Sequence, residues 1–247
     1  MNSRKVLSVF VVASSVLFIV LQTLGQEYHA FVVKALAMVI LLILYTVSVG
    51  EKNVFFLLFI ITYTVADIYN VLTYNIFPAK GVTIDVHYLV GNSLYILSYI
   101  FLILKVSALI DFKGIFVKFP YQLTLLFALD IFVVWVLTDL VRLTLGANYA
   151  YIIELLYNLT IMILVSLSLI NYMQNDTKKA MNLLLGCICI MFSEVIQIAY
   201  YYVSSLNNTL SIVYSVLLVL AFFFFFKQSQ LYRSFNALIT NRQTSDF

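Results

Sequence analysis

Apolar residues recur along the chain in eight blocks of about twenty residues, separated by short polar stretches. A helical run of this length crosses the hydrocarbon core of a bilayer, which is roughly 30 Å thick. The pattern therefore predicts an all-α protein, a polytopic membrane bundle of eight transmembrane helices. The predicted spans cover residues 6–24, 31–49, 54–73, 88–109, 121–144, 149–171, 180–203 and 208–227.

The composition agrees with this pattern. Hydrophobic residues make up 64% of the 247 residues and charged residues only 10%, a balance that excludes an ordinary soluble domain. We predict a single transmembrane domain over residues 1–227 and a short polar cytoplasmic tail over residues 228–247. No small-residue cleavage site follows the first apolar run, so we interpret that run as a true span rather than a signal peptide.

Basic residues favour one side of the predicted topology. With eight spans, ten of the fourteen Lys and Arg residues fall on the side that holds both termini. Because Lys and Arg are enriched in cytoplasmic loops, both termini are predicted to be cytoplasmic. We expect an integral membrane protein of the bacterial inner (cell) membrane.

Several ionisable residues lie inside the apolar blocks. Asp67 interrupts the third span, where an unpaired carboxylate costs several kcal/mol. A rise of about 1.5 Å per residue places it in the outer half of the membrane. The same reasoning places Lys34 of the second span, Glu154 of the sixth and Glu194 of the seventh in this outer layer. With Asp139 and Arg142 near the outer end of the fifth span, six ionisable groups from five helices are therefore expected at a similar depth.

Polar residues at helical spacing accompany these groups. The stripes are Tyr63, Asp67 and Asn70 on the third span, Glu154, Tyr157 and Asn158 on the sixth, and Glu194, Gln197 and Tyr201 on the seventh. Such stripes face the bundle interior or a water-filled cavity. A structural network is one reading, since interhelical hydrogen bonds contribute about 0.6 kcal/mol each. Two acids and a lysine at one depth favour a functional cavity. The apolar run Phe222–Phe226, in contrast, is expected to face lipid.

Other candidate groups give weaker signals. Asp139 and Arg142, three residues apart, are expected to form a local salt bridge, and Asp130 has no partner that the sequence identifies. His29 and His87 lie just outside the spans and lack a third metal ligand. The chain contains no glycine-rich phosphate loop, no Ser-His-Asp arrangement and no basic nucleic-acid patch. We predict no metal, no cofactor and no nucleic-acid partner.

Four short segments share their pattern with a known family. They are Lys34 to Leu36 in the second span, Thr64 to Asp67 in the third, Gly91 to Tyr99 in the fourth and Gly186 to Glu194 in the seventh. These segments are similar to the K-P-L, S-x-x-G-D, G-x-F-F-x-x-H and G-x-x-L-F-x-x-S-D segments of the YhhN family. The chain thus resembles that family of eight-span membrane proteins, which includes lysoplasmalogenases. Tyr99 stands where the family has histidine, and Glu194 where it has aspartate.

The resemblance implies a lysoplasmalogenase-like hydrolase that acts on the vinyl ether, or a related ether bond, of a membrane lysolipid. Vinyl ether hydrolysis requires one protonated acid and one ionised group. Asp67 and Glu194 are the expected catalytic pair, with the donor left open, and Lys34 would hold the ionised acid or the lipid phosphate. The expected substrate-binding residues are Lys34, Tyr63, Asn70, Tyr99, Glu154 and Gln197.

A non-enzymatic membrane protein is the alternative. Intramembrane carboxylates are common in proton relays, so a proton- or ion-coupled transporter or a sensory membrane module could use the same residues. The scarcity of glycine and proline within the spans argues against the broken helices of many transporters. The lack of a soluble output domain argues against a sensor that acts alone.

Overall fold

The computed structural model describes residues 3–76, 85–145, 149–202 and 207–245. Within these ranges the chain forms nine α-helices. Their bounds are α1 Ser3–Thr23, α2 Glu27–Ser48, α3 Val54–Thr73, α4 Val86–Ser107, α5 Phe112–Lys118, α6 Pro120–Leu145, α7 Tyr149–Asn175, α8 Lys178–Tyr202 and α9 Asn207–Ser245. Eight of the helices are long and apolar enough to cross a bilayer. The predicted all-α bundle of eight membrane helices is confirmed.

Two features of the connections were not predicted. The short helix α5 occupies the link between the fourth and fifth spans, and it exposes Phe116 and Val117. The last helix continues past Lys227 without a break, and its next two residues, Gln228 and Ser229, are buried. The polar segment after Lys227 therefore begins as part of the packed bundle.

Local sequence explains where several helices begin. Asn53 caps α3, since its side-chain oxygen accepts a hydrogen bond from the backbone N–H of Phe56 at 3.0 Å. Asp85 caps α4 in the same way, accepting from the backbone N–H groups of His87 and Tyr88. Gly25, with a φ of +69°, makes the tight link between α1 and α2. The short links between α1 and α2 and between α2 and α3 restrict each of these pairs of spans to antiparallel packing.

Seven helices form a closed ring. Each packs against the next in the order α1, α2, α3, α4, α7, α8 and α9, and α9 closes back onto α1. Helix α6 lies outside this ring, against α7 and α8. Its outer side chains include Leu125, Phe127 and Trp135, which are 64% or more exposed. In a bilayer that surface faces lipid, because apolar side chains are as well solvated by acyl chains as by protein.

The two ends of the ring differ in charge. Arg4 and Lys5 line a surface depression together with Ser48, Val49 and residues 229–230, so the start of α1 and the part of α9 just after Lys227 lie beside the end of α2. We call this side the basic end and the opposite side the far end. At the far end, Glu27 accepts hydrogen bonds from Tyr74 and Tyr200.

Aromatic side chains fill the middle of the ring. Phe59 of α3 stacks on Phe222 of α9 with ring centres 6.0 Å apart, and it meets Phe225 edge-on at 5.6 Å. Phe222 is 8% exposed and Phe225 only 1%, whereas Phe223 is 49% exposed. The prediction that Phe222–Phe226 faces lipid is therefore wrong for two of its members. Because α9 closes the ring, the face that carries residues 222 and 225 turns inward.

Close packing of α8 on α9 depends on Gly186. A Cβ atom at this position would lie 2.5 Å from Cε1 of Phe225, whose ring is locked among other buried aromatic rings. We expect Gly186→Ala to lower the stability of the bundle by about 1–3 kcal/mol, the usual cost of overpacking. Thermal unfolding of the purified protein in detergent measures the change. Gly50→Ala is the matched control, because nothing lies within 4 Å of its Cβ position. An equal loss in both variants would refute the packing argument.

Candidate functional site

A polar cavity of about 470 Å³ opens within the far-end half of the ring. Side chains from α2, α3, α4, α7 and α8 line it. Seven of the eight site residues that the sequence predicted are among them: Lys34, Tyr63, Asp67, Asn70, Glu154, Glu194 and Gln197. The eighth, Tyr99, is fully buried and reaches the cavity through its contact with Glu194. The polar stripes of separate helices therefore meet at one place. We call this space the far-end cavity.

Lys34 and Asp67 form an ion pair across α2 and α3. The Lys34 Nζ lies 2.9 Å from Asp67 Oδ1, and the side chains are 17% and 2% exposed. The same carboxylate oxygen accepts a hydrogen bond of 2.6 Å from the Tyr95 hydroxyl. Asn70 in turn donates to that hydroxyl at 3.1 Å. Three helices thus fix the position of the Asp67 carboxylate.

The second oxygen of Asp67 is differently placed. Oδ2 is buried and accepts no hydrogen bond from the residues that the structure describes. An unsatisfied carboxylate oxygen in a low-dielectric site is unfavourable. The Lys34 ammonium, paired through Oδ1, is therefore the group within 4.0 Å that offsets the charge of this carboxylate.

Glu194 has a different environment. Its Oε1 accepts a hydrogen bond of 2.8 Å from the Tyr99 hydroxyl, and the Tyr99 ring packs edge-on against Tyr157. Among the described residues, no Lys, Arg or His nitrogen lies within 4.0 Å of its carboxyl group. The neighbouring Ser193 donates to the backbone carbonyl of Tyr214 at 2.9 Å, which holds this turn of α8 against α9. One acid is thus paired with a cation, while the other is hydrogen-bonded to a neutral phenol.

Acidic groups outnumber basic ones around the cavity. Glu154 is 8% exposed and accepts a short hydrogen bond from Tyr88, and Asp85 also lines the cavity. The four acids Asp67, Asp85, Glu154 and Glu194 face one lysine, Lys34, and one histidine, His87. The cavity is therefore rich in carboxyl groups and poor in basic ones, a balance that favours a positively charged group as its occupant.

Sequence reasoning identified Tyr99 on one wall of the cavity but missed the other three residues of that wall. Tyr88, Asn92, Tyr95 and Tyr99 occupy one face of α4 at spacings of four, three and four residues. The first three line the cavity and the fourth holds Glu194. The helical spacing was visible in the sequence, but tyrosines near a membrane boundary are also typical of an aromatic belt. Their hydroxyl contacts with the acids are what distinguish the two cases.

Of the other ionisable groups, those of α6 lie away from the far-end cavity, whereas His87 lines it. Asp139 and Arg142 form the predicted local pair at 3.7 Å, on an exposed part of α6. Asp130 of the same helix accepts a hydrogen bond of 2.5 Å from Ser166 of α7. His87 contacts the Tyr69 hydroxyl through Nδ1 at 3.0 Å. Among the described residues, no group of three His, Cys, Asp or Glu side chains could hold a metal ion.

The ion pair gives a test of how the cavity is held together. We expect Lys34→Met to destabilise the protein by about 3 kcal/mol, because it leaves a buried carboxylate without its cation. Adding Asp67→Asn should restore much of that loss, since neither charge then remains. Thermal unfolding of both single variants and the double variant measures the coupling. Asp139→Asn, at an exposed pair, should change stability by less than about 0.5 kcal/mol. Additive losses at positions 34 and 67 would contradict the pairing.

Comparison with known proteins does not assign this chain to a family. No protein-family model, curated protein or solved structure matches it. The functional argument therefore depends on the chemistry of the cavity and its surroundings.

Proposed function

We propose that this integral membrane protein is a lysoplasmalogenase-like hydrolase, which cleaves the vinyl ether, or a related ether bond, of a lysolipid. The observation that supports this proposal is the position of Lys34. Its side chain lines both the polar far-end cavity and a separate apolar groove of about 400 Å³. A lipid with a single hydrocarbon chain requires a polar site for the bond that is cleaved and an adjoining apolar site for the chain.

The groove lies between α1, α2 and α9. Along α2 it is lined by Lys34, Ala37, Met38, Leu41 and Leu44, a length of about 15 Å at 1.5 Å per residue. The walls contributed by α1 and α9 are mostly Val, Ile, Leu and Phe. An alkyl chain placed here would extend toward the basic end, with its ether-linked end beside Lys34 and Asp67.

The charge of the far-end cavity favours an amine-bearing headgroup. Asp85 and Glu154 line it, together with Tyr74 and Tyr88. Carboxylates and aromatic faces both attract an ammonium group. We therefore propose an ethanolamine- or choline-type lysolipid as the substrate class. Because Lys34 is paired with Asp67, we assign it to holding the ionised acid rather than the lipid phosphate.

The different environments of the two acids suggest their roles. Glu194, hydrogen-bonded to a neutral tyrosine, is the proposed proton donor. Its proton would be transferred to the vinyl carbon remote from the ether oxygen, and the carbon bonded to oxygen would become an oxocarbenium ion. The Lys34 ammonium stabilises a negative charge on Asp67, and this carboxylate would in turn stabilise the cation.

Water then completes the reaction. The Asp67 carboxylate, which lines the cavity, is the proposed acceptor for a proton of the attacking water. Attack forms the new C–O bond of a hemiacetal, and the proton that the water loses passes to Asp67. When the hemiacetal collapses, its bond to the glycerol oxygen breaks, this oxygen takes the proton from Asp67, and the hemiacetal hydroxyl gives its proton to Glu194, so both acids regain their starting states. The products are an aldehyde and a water-soluble glycerophosphodiester. Tyr99, at the position of the family's histidine, would orient Glu194 without transferring the proton itself.

The location of the enzyme follows from the same proposal. A bundle of long apolar helices is typical of bacterial inner membranes, whereas the outer membrane is dominated by β-barrels. The excess of Lys and Arg on the side of the termini favours cytoplasmic termini. We therefore propose the bacterial inner (cell) membrane, with the far-end cavity toward the outer face.

The catalytic assignment predicts a specific loss of activity. Asp67→Asn and Glu194→Gln should each lower the rate of aldehyde release from a lysoplasmalogen by about 10²–10⁴-fold, since each removes a proton-transfer or charge-stabilising group. Asp139→Asn, an acid far from the cavity on α6, is the control and should retain the wild-type rate. The measurement is aldehyde formation by purified protein in mixed micelles. Full activity of Asp67→Asn would refute the assignment.

An inactive wild-type protein that takes up protons into proteoliposomes would instead favour a transporter.

The groove predicts a dependence on chain length. Ala37 lines the groove, whereas the adjacent Leu36 is 53% exposed on another face of α2. We expect Ala37→Phe to raise KM for a long-chain lysoplasmalogen by about tenfold, because the ring occupies space needed by the chain. The effect should diminish for a short-chain analogue, and Leu36→Phe should behave like wild type. Equal effects of both substitutions on both substrates would exclude the groove as the chain site.

A further inference from the structure

A second polar cavity lies at the opposite end of the ring. It has a volume of about 290 Å³ and is lined by residues of α2, α3, α4, α8, α9 and the α2–α3 link. We call it the basic-end cavity. None of its lining residues is shared with the far-end cavity. Since a water molecule occupies about 30 Å³ of liquid, the space accommodates a small polar group with several waters.

The central residue of this cavity is Lys105. It lies two residues before the end of α4, and only 5% of its surface is exposed. Its Nζ donates to the Gln228 side-chain oxygen at 2.6 Å and lies 4.1 Å from the centre of the Phe56 ring. Within the described part of the chain, no carboxylate lies within 4.0 Å of it. A buried ammonium group is thus held by one amide and one aromatic face, both uncharged.

The surroundings add positive charge. Lys52 and Lys179 line the same cavity, and Glu51 is the only acid that lines it among the residues described. Three lysines against one glutamate give the cavity an excess of basic over acidic groups. The N-terminus of α3 also begins here, at Asn53, and a helix N-terminus favours an anion nearby.

We propose that the basic-end cavity binds a phosphate-bearing anion, with Lys105 as the buried contact and Lys179 as a second cationic contact. An ammonium group has three N–H donors, and the Gln228 amide and the Phe56 ring occupy two directions around Lys105. A phosphate oxygen would supply both the remaining acceptor and the missing negative charge. This site is independent of the proposed hydrolase activity and would exist without it.

A purely structural role explains the cavity less well. The contact between Lys105 and Gln228 does join α4 to the continuation of α9. A neutral donor such as glutamine could make that contact without the cost of burying a charge. Nor does a structural link require a second and third lysine around an open space. An anionic ligand accounts for both features, because it supplies the negative charge that Lys105 lacks within 4.0 Å and that the additional lysines attract.

Two sources could supply the phosphate group, and one experiment distinguishes them. Protein purified in an uncharged detergent and stripped of lipid is titrated with phosphatidylglycerol in mixed micelles, or with glycerol 3-phosphate in solution. Native mass spectrometry and thermal unfolding report binding. Diacylglycerol, which has the chains without the phosphate, is the ligand control. Binding of phosphatidylglycerol alone would identify a membrane lipid as the ligand, whereas binding of glycerol 3-phosphate would show that the phosphate group suffices.

Substitutions of the lysines that line the cavity test whether the ligand binds there. We expect Lys105→Met to weaken phosphate-ligand binding by about tenfold or more, the usual effect of losing a charge-assisted hydrogen bond. Lys179→Gln, at a partly exposed position, should also weaken it and serves if the first variant does not fold. Lys118→Gln is the matched control, because this lysine is exposed on α5 and does not line the cavity. Absence of binding to both phosphate ligands, or unchanged affinity in both cavity variants, would overturn the proposal.

Discussion

The ion pair between Lys34 and Asp67 constrains the rest of the bundle. Neither charge can face acyl chains at low cost, so α2 and α3 must turn these residues toward the interior of the ring. That orientation places Tyr63, one turn before Asp67, in the aromatic core, and it places Asn70 beside Tyr95 of α4. The arrangement of three helices therefore follows from satisfying one pair of charges. The cavity is the space that these inward-facing polar groups require.

The two polar cavities have opposite charge and different surroundings. The far-end cavity has an excess of acids, is lined by tyrosines and adjoins the apolar groove through Lys34. The basic-end cavity has an excess of lysines and lies where α3 and α8 begin. Helix α3 contributes to both, with Asp67 at one and Phe56 at the other. Such a separation suits two different ligands at the two faces of the membrane rather than one path between them.

The sequence predicted the number and type of membrane helices because hydrophobic length alone decides whether a segment spans a bilayer. It also brought Lys34, Asp67, Glu154 and Glu194 to one depth, since depth depends only on helical rise. Which face of a helix turns inward depends on how the helices close into a ring, and the sequence does not show this closure. The prediction therefore placed Phe222 and Phe225 on the lipid-facing side. Lys105 was not recognised as a site residue either, because its partner Gln228 is 123 positions away and lay in a segment interpreted as a polar tail. The chemical role of the acids stays a prediction.

The aromatic core has a consequence for the electrical properties of the membrane. Along α3 the rings of Phe56, Phe59 and Tyr63 contact one another in sequence, with centres 5.8 and 6.0 Å apart. Lys105 lies over the first ring and Lys34 lies 5.5 Å from the centre of the third. These rings separate the two polar cavities with a layer that offers few sites for a chain of water molecules. A layer of this kind is poorly permeable to protons and ions, so it keeps the acids of the far-end cavity electrically separate from the lysines of the basic-end cavity.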